Sequence, residues 1–240
     1  MSIHQWPARR AAFLGKSGIA VDGCSHVALD RRAPRRWELG AKRVIDLVGS
    51  VVGLILSAPL VAFIVWLIRA DSPGPVLFSQ LRVGAADRLF RIYKFRTMAV
   101  GAESRLDEIR HLNFHAHTFD DARLFKAADD PRVTRCGGLL RRYSLDELPQ
   151  LVNVVKGEMS LVGPRPLMVE EDRHVVGVWR HRVDMRPGIT GPWQVQGRNS
   201  LSFETMLQLD LRYVSGWRLR DDASILLRTI PAMLRRQEAP

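Results

Sequence analysis

The longest apolar segment of the chain runs from Val44 to Ile68 and carries a single charged residue, Asp46, near its start. At about 1.5 Å per residue, a helix of this length can cross a hydrocarbon core of about 30 Å. A secretory signal peptide has a shorter apolar region closer to the N-terminus, so the segment is more typical of a membrane helix. The alternative interpretation is a buried helix of a soluble protein.

Two features bear on how this helix meets the bilayer. Pro59 lies near its middle, where the missing N–H and the ring should break or kink a helix, and Ser57 can hydrogen-bond a freed carbonyl. Basic residues, which favour the cytoplasmic side, flank both ends: Arg31, Arg32, Arg35, Arg36, Lys42 and Arg43 before the segment, and Arg69, Arg82, Arg88, Arg91, Lys94 and Arg96 after it. A re-entrant helix–break–helix that dips into one leaflet and returns satisfies both flanks, and a spanning helix is the alternative. In either case the basic flanks would bind an anionic lipid bilayer.

The remaining pattern predicts an α+β fold that is helix-dominated with a small sheet. Segments 76–84 and 89–98 are rich in β-branched and aromatic residues and predict two strands joined by a turn around Gly84–Asp87. Helical patterns cover 101–112, 145–155, 203–215 and 222–236, with Gly157 ending the second, and 113–130 predicts a surface loop. We therefore divide the chain into a basic N-terminal arm (1–38), a membrane segment (39–70) and a folded domain (71–240).

Charge narrows the class of partner without choosing one. The formal net charge of +11 over 240 residues indicates an anionic partner, which could be nucleic acid, acidic lipid or a phosphorylated substrate. Cys24 and Cys136 are far apart and in no metal-ligand spacing, so we expect reduced thiols, with a disulfide as the alternative.

The segment from Ser144 to Gln150 has two interpretations. Ser144 followed three residues later by Glu147 is typical of a capping box at a helix start, where acidic residues are common. The same position suits catalysis, because a carboxylate at the positive end of a helix stays ionised and Arg141 lies just upstream. Asp146 could then attack phosphorus, and Glu147 could hold a divalent cation.

Two further sites could bind phosphate. The prolines on either side of Arg165 fix its backbone, which suits a bidentate phosphate clamp, although a rigid turn with a solvent-facing arginine fits as well. In the second predicted strand, alternation places Lys94 and Arg96 on one face. That face is either a phosphate-binding surface or the polar side of an ordinary amphipathic strand.

A glycine-rich stretch between Arg186 and Arg198 could approach a nucleotide, with arginine and Trp193 stacking on the base. A plain surface loop is the alternative. The seven histidines show no zinc-ligand spacing.

Several long motifs follow one another in a fixed order over about residues 39–236: KRVIDLVGSVVGLILSAPL, GPVLFSQLRVG, FRIYKFRTM, DPRVTRCGGLLRRYSLDELPQLVNVVKGEMSLVGPRP, RPGITGPWQVQGRN and LDLRYVSGW. In this order they resemble the bacterial sugar transferase family. Its members are the monotopic polyprenyl-phosphate phosphoglycosyl transferases that begin exopolysaccharide, O-antigen and glycan assembly.

The resemblance implies an enzyme on the cytoplasmic face of the bacterial inner membrane, with a re-entrant membrane helix and a Mg²⁺-dependent Asp-Glu dyad at Asp146 and Glu147. Asp146 would attack the β-phosphate of a UDP-sugar, UMP would leave, and undecaprenyl phosphate would take the phosphosugar from Asp146. Both dyad residues would hold the metal. Arg141 and Arg165 match the family's phosphate-binding arginines. Lys94 matches its basic strand residue, and Pro59 matches its helix-breaking proline.

The loop through 113–130 is more similar to the hexose-transferring exopolysaccharide enzymes, which favours glucose or galactose. The resemblance implies no nucleic-acid partner and leaves the oligomeric state open, a homodimer included. The competing hypothesis is a basic, membrane-anchored binding protein without catalysis. Nucleic-acid binding would predict affinity that falls steeply with salt and does not need Asp146.

Overall fold

A computed structural model describes residues 34–121, 123–125, 127, 130–197 and 201–234. The larger part of the predicted basic arm (1–33, with Cys24) and the candidate nucleotide contact Arg198 lie outside these residues.

The described chain is helix-dominated and contains two small sheets, so the predicted fold class is confirmed at that level. Its helices are α1 (Arg36–Asp71), α2 (Phe114–Phe119), α3 (Arg135–Arg142), α4 (Gln150–Lys156), α5 (Val169–Asp172), α6 (Pro192–Gln196), α7 (Phe203–Gly216) and α8 (Leu219–Leu234). Its strands are β1 (Leu77–Val83), β2 (Leu89–Phe95), β3 (Ser160–Val162) and β4 (Gly188–Thr190). Short 3-10 turns cover Ala85–Asp87, Asp107–Leu112, Leu145–Glu147 and Gly177–Asp184.

The N-terminal half of α1 docks on the domain through a polar stripe. Its buried members recur every four residues, which places them on one helix face: Glu38, Lys42, Asp46 and Ser50. Lys42 Nζ donates to the carbonyl of Val162 at 2.9 Å and pairs with Asp222 at 2.6 Å. Asp46 Oδ1 accepts from Ser160 Oγ and from the backbone N–H of Leu161, both at 2.9 Å. The Lys42 charge, which would be costly to bury alone, is therefore paired inside the molecule, and the Asp46 carboxylate is hydrogen-bonded through one of its oxygens.

The C-terminal half of α1 packs on the same domain with apolar contacts. Ile64 and Ile68 are buried in a cluster with Phe95 of β2 and Leu140 of α3. Full burial of such side chains stabilises by about 1.5–3 kcal/mol each. Both ends of the helix are thus fixed to one folded domain.

The outward face of α1 is apolar and exposed: Val44, Ile45, Val48, Val51, Val52, Ile55, Leu56, Leu60, Phe63 and Trp66. By length and composition, α1 is the only helix among the described residues that could cross a membrane. The predicted membrane segment is therefore a helix with a lipid-like outer surface. It begins at Arg36, so residues 36–38 belong to the helix rather than to the predicted arm.

The structure does not show the interruption predicted at Pro59, because α1 is continuous from Arg36 to Asp71. A proline removes one helical hydrogen bond, and the remaining bonds of a 36-residue helix carry the segment through it. Ser57 Oγ donates to the carbonyl of Leu54 at 3.4 Å, and not to that of Ile55, whose helical donor Pro59 removes.

The predicted β-hairpin is confirmed. β1 and β2 pair antiparallel, with Phe78 opposite Lys94 and Arg82 opposite Phe90, and left-handed residues Ala86 and Asp87 lie in the connection. The second sheet, a parallel pair of β3 and β4, was missed because each strand is only three residues long.

Other sequence predictions were partly right. The last two helices appear as α7 and α8, and Gly157 ends α4 with a φ of 82°. Residues 101–112 form turns and a 3-10 segment rather than a helix, and the predicted loop at 113–130 contains α2, which buries His115.

Candidate active site

The β-hairpin carries one cation of the site. Lys94 lies on the face of β2 that also holds the buried residues Phe90 and Ile92, and its side chain is 26% exposed. Asn153 of α4 receives the N–H of Tyr93 at 3.1 Å and donates to the carbonyl of Arg91 at 2.7 Å. The strand is thereby fixed against α4, and Lys94 is held at a set distance from the turn that precedes α4.

The carboxylates lie on that turn. Asp146 and Glu147 belong to a 3-10 turn between α3 and α4, and the capping-box interpretation of Ser144 is wrong. Ser144 is left-handed, with a φ of 54°, makes no side-chain cap, and donates its N–H to the carbonyl of Arg141 at 3.1 Å. Ser144 thus follows Tyr143, which ends α3, and precedes the 3-10 turn without capping it through its side chain. The two acidic side chains lie on this tight turn.

Lys94 bridges the dyad. Its Nζ lies 2.9 Å from Glu147 Oε1 and 3.4 Å from Asp146 Oδ2. Burial alone would lower the pKa of Lys94, but the carboxylates of Glu147 and Asp146 outweigh it and raise that pKa above its ordinary value. The ammonium therefore stays charged.

Asp146 is the more buried carboxylate, with its side chain 11% exposed against 33% for Glu147. Burial raises the pKa of Asp146, Glu147 adds to the rise, and Lys94 and Arg141 oppose it. Lys94 lies closer to Glu147, so Asp146 receives less compensation for its loss of water.

Arg141 supplies a second cation from α3. Its Nε donates to Thr97 Oγ1 at 2.9 Å, and burial lowers its pKa while Asp146 and Asp130 oppose that change. α3 comes this close because residue 137 is glycine: a Cβ there would lie 2.0 Å from the carbonyl oxygen of Thr97.

Arg165 supplies a third cation from the loop after β3. Its guanidinium stacks 4.7 Å from the centre of the Trp193 ring, and its positive charge acts on Lys94. The loop is packed backbone against backbone: a Cβ at Gly163 would lie 2.3 Å from the carbonyl oxygen of Arg186, and one at Gly191 would lie 2.1 Å from that of Gly163. Glycine at these positions permits the close approach.

Arg96 was predicted to bind phosphate, and the structure gives it a different task. Its guanidinium donates to the carbonyl oxygens of Pro73 at 2.5 Å and Ser72 at 2.8 Å, and the residue is buried. Arg96 follows the end of β2, where the alternation that put it beside Lys94 no longer applies. Arg96 thus fixes the backbone immediately after the C-terminal end of α1.

Of the two arginines predicted as nucleotide contacts, only Arg186 belongs to the described residues, and it lies near α1. Arg186 is exposed and its charge acts on Arg43 of α1, whose pKa is lowered by burial first and by Arg186 second. Trp193 is 4% exposed in a core cluster, so its ring faces Arg165 rather than an open surface. The plain surface-loop alternative does not hold for Trp193, because this residue is buried.

Sequence reasoning missed Arg82. Burial lowers its pKa to about 10, Glu171 and Glu147 oppose that change, and Arg165 adds to it. The register of the hairpin could have indicated that Arg82 lies near the site, because it puts Arg82 on the same face of the sheet as Lys94.

Among the described residues no three histidine, cysteine, aspartate or glutamate side chains come together as a metal site. The two adjacent carboxylates nevertheless fit Mg²⁺, which is commonly held by one or two carboxylates, waters and substrate phosphates. Lys94 already lies against both, so the dyad accommodates positive charge.

The arrangement can perform phosphoryl transfer. A buried carboxylate can act as a nucleophile, and the charges of Lys94 and Arg141 act on it and can neutralise phosphate oxygens. Arg165 adds positive charge that acts on Lys94.

Comparison with known proteins agrees with this chemistry. A family model described as bacterial sugar transferase matches residues 37–236. The chain is 41% identical over 198 residues to a UDP-galactose-lipid carrier transferase of Erwinia amylovora, covering 82% of this chain and 41% of the relative. It is 39% identical over 198 residues to the undecaprenyl-phosphate galactose phosphotransferase of Salmonella typhimurium, again covering 82% and 41%.

A shorter relative is matched over most of its length. The exopolysaccharide production protein ExoY of Rhizobium meliloti is 40% identical over 193 residues, covering 80% of this chain and 85% of the relative. The chain thus spans less than half of the two longer relatives and 85% of this one.

Proposed function

Because the chain belongs to the bacterial sugar transferase family, we propose that it transfers a sugar-1-phosphate from a UDP-sugar to undecaprenyl phosphate and releases UMP. The observation that carries the proposal is the buried carboxylate of Asp146 beside Lys94 and within the field of Arg141. The names of the two longer relatives support the classes of donor and acceptor, and both specify galactose. We extend the proposal to a hexose donor.

In the first step, a carboxylate oxygen of Asp146 attacks the β-phosphorus of the UDP-sugar. The bond between that phosphorus and the oxygen bridging the two phosphates breaks, and UMP leaves with the electron pair. The phosphosugar is now bound to Asp146 as an acyl phosphate. Lys94, Arg141 and Arg165 would neutralise the charge on the phosphoryl oxygens, and the charges that act on Asp146 and Lys94 support this role.

In the second step, a phosphate oxygen of undecaprenyl phosphate attacks the same phosphorus. The bond to Asp146 breaks, the carboxylate is regenerated, and the product is an undecaprenyl diphosphate sugar. Two displacements at one side chain predict ping-pong kinetics.

Asp146 and Glu147 would hold Mg²⁺, which when bound supplies further charge neutralisation to the substrate phosphates. Lys94 lies against both carboxylates and balances the dyad's charge.

We further propose that α1 enters the membrane without crossing it, so that both ends stay with the catalytic domain on the cytoplasmic face of the inner membrane. Two findings support this arrangement: Lys42 is paired with Asp222, and Ile64 and Ile68 are buried against the same domain. A spanning helix would have to detach one of its halves. A bend at Pro59 in the bilayer remains a prediction.

The decisive experiment follows UMP release by purified protein in lipid nanodiscs with UDP-galactose or UDP-glucose, undecaprenyl phosphate and Mg²⁺. Asp146→Asn should abolish turnover while leaving the folded protein in the disc. Asp107→Asn is the matched control, because that carboxylate is on the surface with its side chain 83% exposed. Omitting the lipid acceptor should allow the phosphosugar adduct to be mapped to Asp146 by mass spectrometry. Near-normal turnover of Asp146→Asn, or an adduct on another side chain, would refute the proposed nucleophile.

Topology has a separate test. Single cysteines at Trp37 and Ala70, in a background without native cysteines, should both be labelled from the cytoplasmic side. Labelling from opposite sides would show that α1 spans the membrane.

A further inference from the structure

The loop that carries Arg165 is fastened at its backbone from two directions. On one side, the buried guanidinium of Arg182 donates to the carbonyl oxygen of Arg165 itself and pairs with Asp210 at 2.7 Å. On the other side, the backbone N–H of Val83 at the end of β1 donates to the carbonyl of Leu167 at 3.0 Å. The loop is therefore tied both to the core and to the hairpin.

Arg82 adds a side-chain contact on the hairpin side. Its Nη1 donates to the carbonyl of Pro166, the residue after Arg165, at 3.2 Å. Its Nη2 donates to Gln80 Oε1 at 2.7 Å, and Glu171 lies 3.6 Å from Nη1. The planar guanidinium fits this role because it serves two acceptors in different directions at once.

Arg82 is not placed to touch a substrate. Its side chain is 11% exposed, its Nη atoms face protein groups, and its Nε is buried without a partner. Its charge nevertheless acts on Arg165 and Glu147, so it lies close to the site.

We propose that Arg82 is a positioning residue that fixes the Gly163–Pro166 loop, so that the Arg165 guanidinium keeps its place against Trp193, from which its charge acts on Lys94. This inference rests on the transfer reaction proposed above. Arg82 acts through Arg165, so its value to turnover depends on Arg165 being present.

A double-mutant cycle measures that dependence. In the UMP-release assay, Arg82→Gln should lower kcat by about 10- to 100-fold, because small misplacements of a positioned group cost this much. Arg165→Gln should lower kcat by about 100- to 1,000-fold, because it removes a group that stabilises developing charge. The double variant should lie within about 3-fold of Arg165→Gln alone, since the two residues act as one unit. KM for the UDP-sugar should change less than kcat.

Two further variants separate positioning from folding. Arg82→Lys keeps the charge but one ammonium cannot serve both acceptors, so its kcat should lie between those of the wild type and Arg82→Gln. Arg110→Gln is the matched control: the Arg110 side chain is 72% exposed and pairs with Asp107 on the surface, and the kcat of this variant should stay within about 2-fold of wild type.

The outcomes distinguish the two proposals. If the wild type releases no UMP, the proposed function fails and the role of Arg82 fails with it. If Arg165→Gln is impaired while Arg82→Gln is not, only the positioning role is refuted. Losses that multiply in the double variant also refute it, because a residue that merely supports the fold would lower activity independently of Arg165.

Discussion

Replacing Lys42 with methionine tests how firmly the N-terminal half of α1 is fixed to the domain. The Lys42 ammonium lies 2.6 Å from Asp222 Oδ2, and the two side chains are 8% and 10% exposed. Asp222 Oδ1 also accepts from Tyr213 at 2.6 Å and from the indole of Trp217 at 2.9 Å. Methionine preserves the apolar stem of lysine, so the substitution removes mainly the charge.

The expected cost follows from the carboxylate that remains. Removing one partner of a buried ion pair costs about 3–5 kcal/mol, because the other charge stays in the interior uncompensated. The Tyr213 and Trp217 bonds retain part of the stabilisation of Asp222, so we expect the lower end, about 3 kcal/mol. At about 2–4 °C per kcal/mol for a chain of this size, the unfolding midpoint should fall by about 6–12 °C.

The assay is thermal unfolding in nanodiscs followed by tryptophan fluorescence, with Trp217 inside the affected cluster. Lys156→Met is the matched control, because Lys156 is exposed and contacts the ring and hydroxyl of Tyr93. Its midpoint should move by less than about 2 °C. Lys42→Met combined with Asp222→Asn should recover about half of the loss, since it removes the stranded charge.

An unchanged midpoint in Lys42→Met would refute the reasoning, because it would mean that the pair is solvated. A double variant that loses the sum of the two single losses would refute it as well, since the two charges would then not depend on each other.

Three further predictions concern the site. Burial raises the pKa of Asp146, so without Mg²⁺ its carboxylate should titrate at a higher pH than an ordinary aspartate when it is followed by carbon-13 NMR. Titration at the ordinary pH of an aspartate would contradict this. Gly137→Ala forces a Cβ against the Thr97 carbonyl, so it should lower the free energy of unfolding by about 2 kcal/mol or more and should also lower kcat. Gly138→Ala is the control, because a Cβ there meets open space, and it should change neither quantity. Arg96→Met leaves two carbonyls after the end of α1 without their donors, so it should lower the unfolding midpoint without raising KM for the UDP-sugar. A raised KM at an unchanged midpoint would instead support the phosphate-binding role of Arg96.

The pattern of apolar and polar residues predicted those helices and strands that are long enough to show a repeat of apolar positions. The β1–β2 hairpin, α7, α8 and the apolar α1 were each visible because their apolar positions repeat over seven residues or more. β3 and β4 have three residues each, which is too short for any period, and their pairing joins residues 28 positions apart, Ser160 with Gly188.

The site was predictable by residue type more than by arrangement. Asp146, Glu147, Lys94 and Arg141 do come together, as the motif order indicated. The left-handed backbone at Ser144 could not be read from its sequence, because serine adopts that conformation only when the surrounding structure requires it. Arg96 shows the same limit, since its partners are backbone carbonyls that no side-chain pattern reveals.

α1 buries its polar face against the domain and exposes its apolar face, and this arrangement has a consequence for how the protein folds during synthesis. Lys42 and Asp46 leave the ribosome 114 to 180 residues ahead of the partners that will neutralise them: Ser160, Val162 and Asp222. Until then the nascent helix has a charged side without partners and an apolar side without cover. A lipid surface would cover the apolar side of the helix while the charged side stays hydrated in water until the domain has been synthesised. We therefore expect membrane binding of the nascent helix to precede folding of the domain, whose later segments would then assemble on the bound helix.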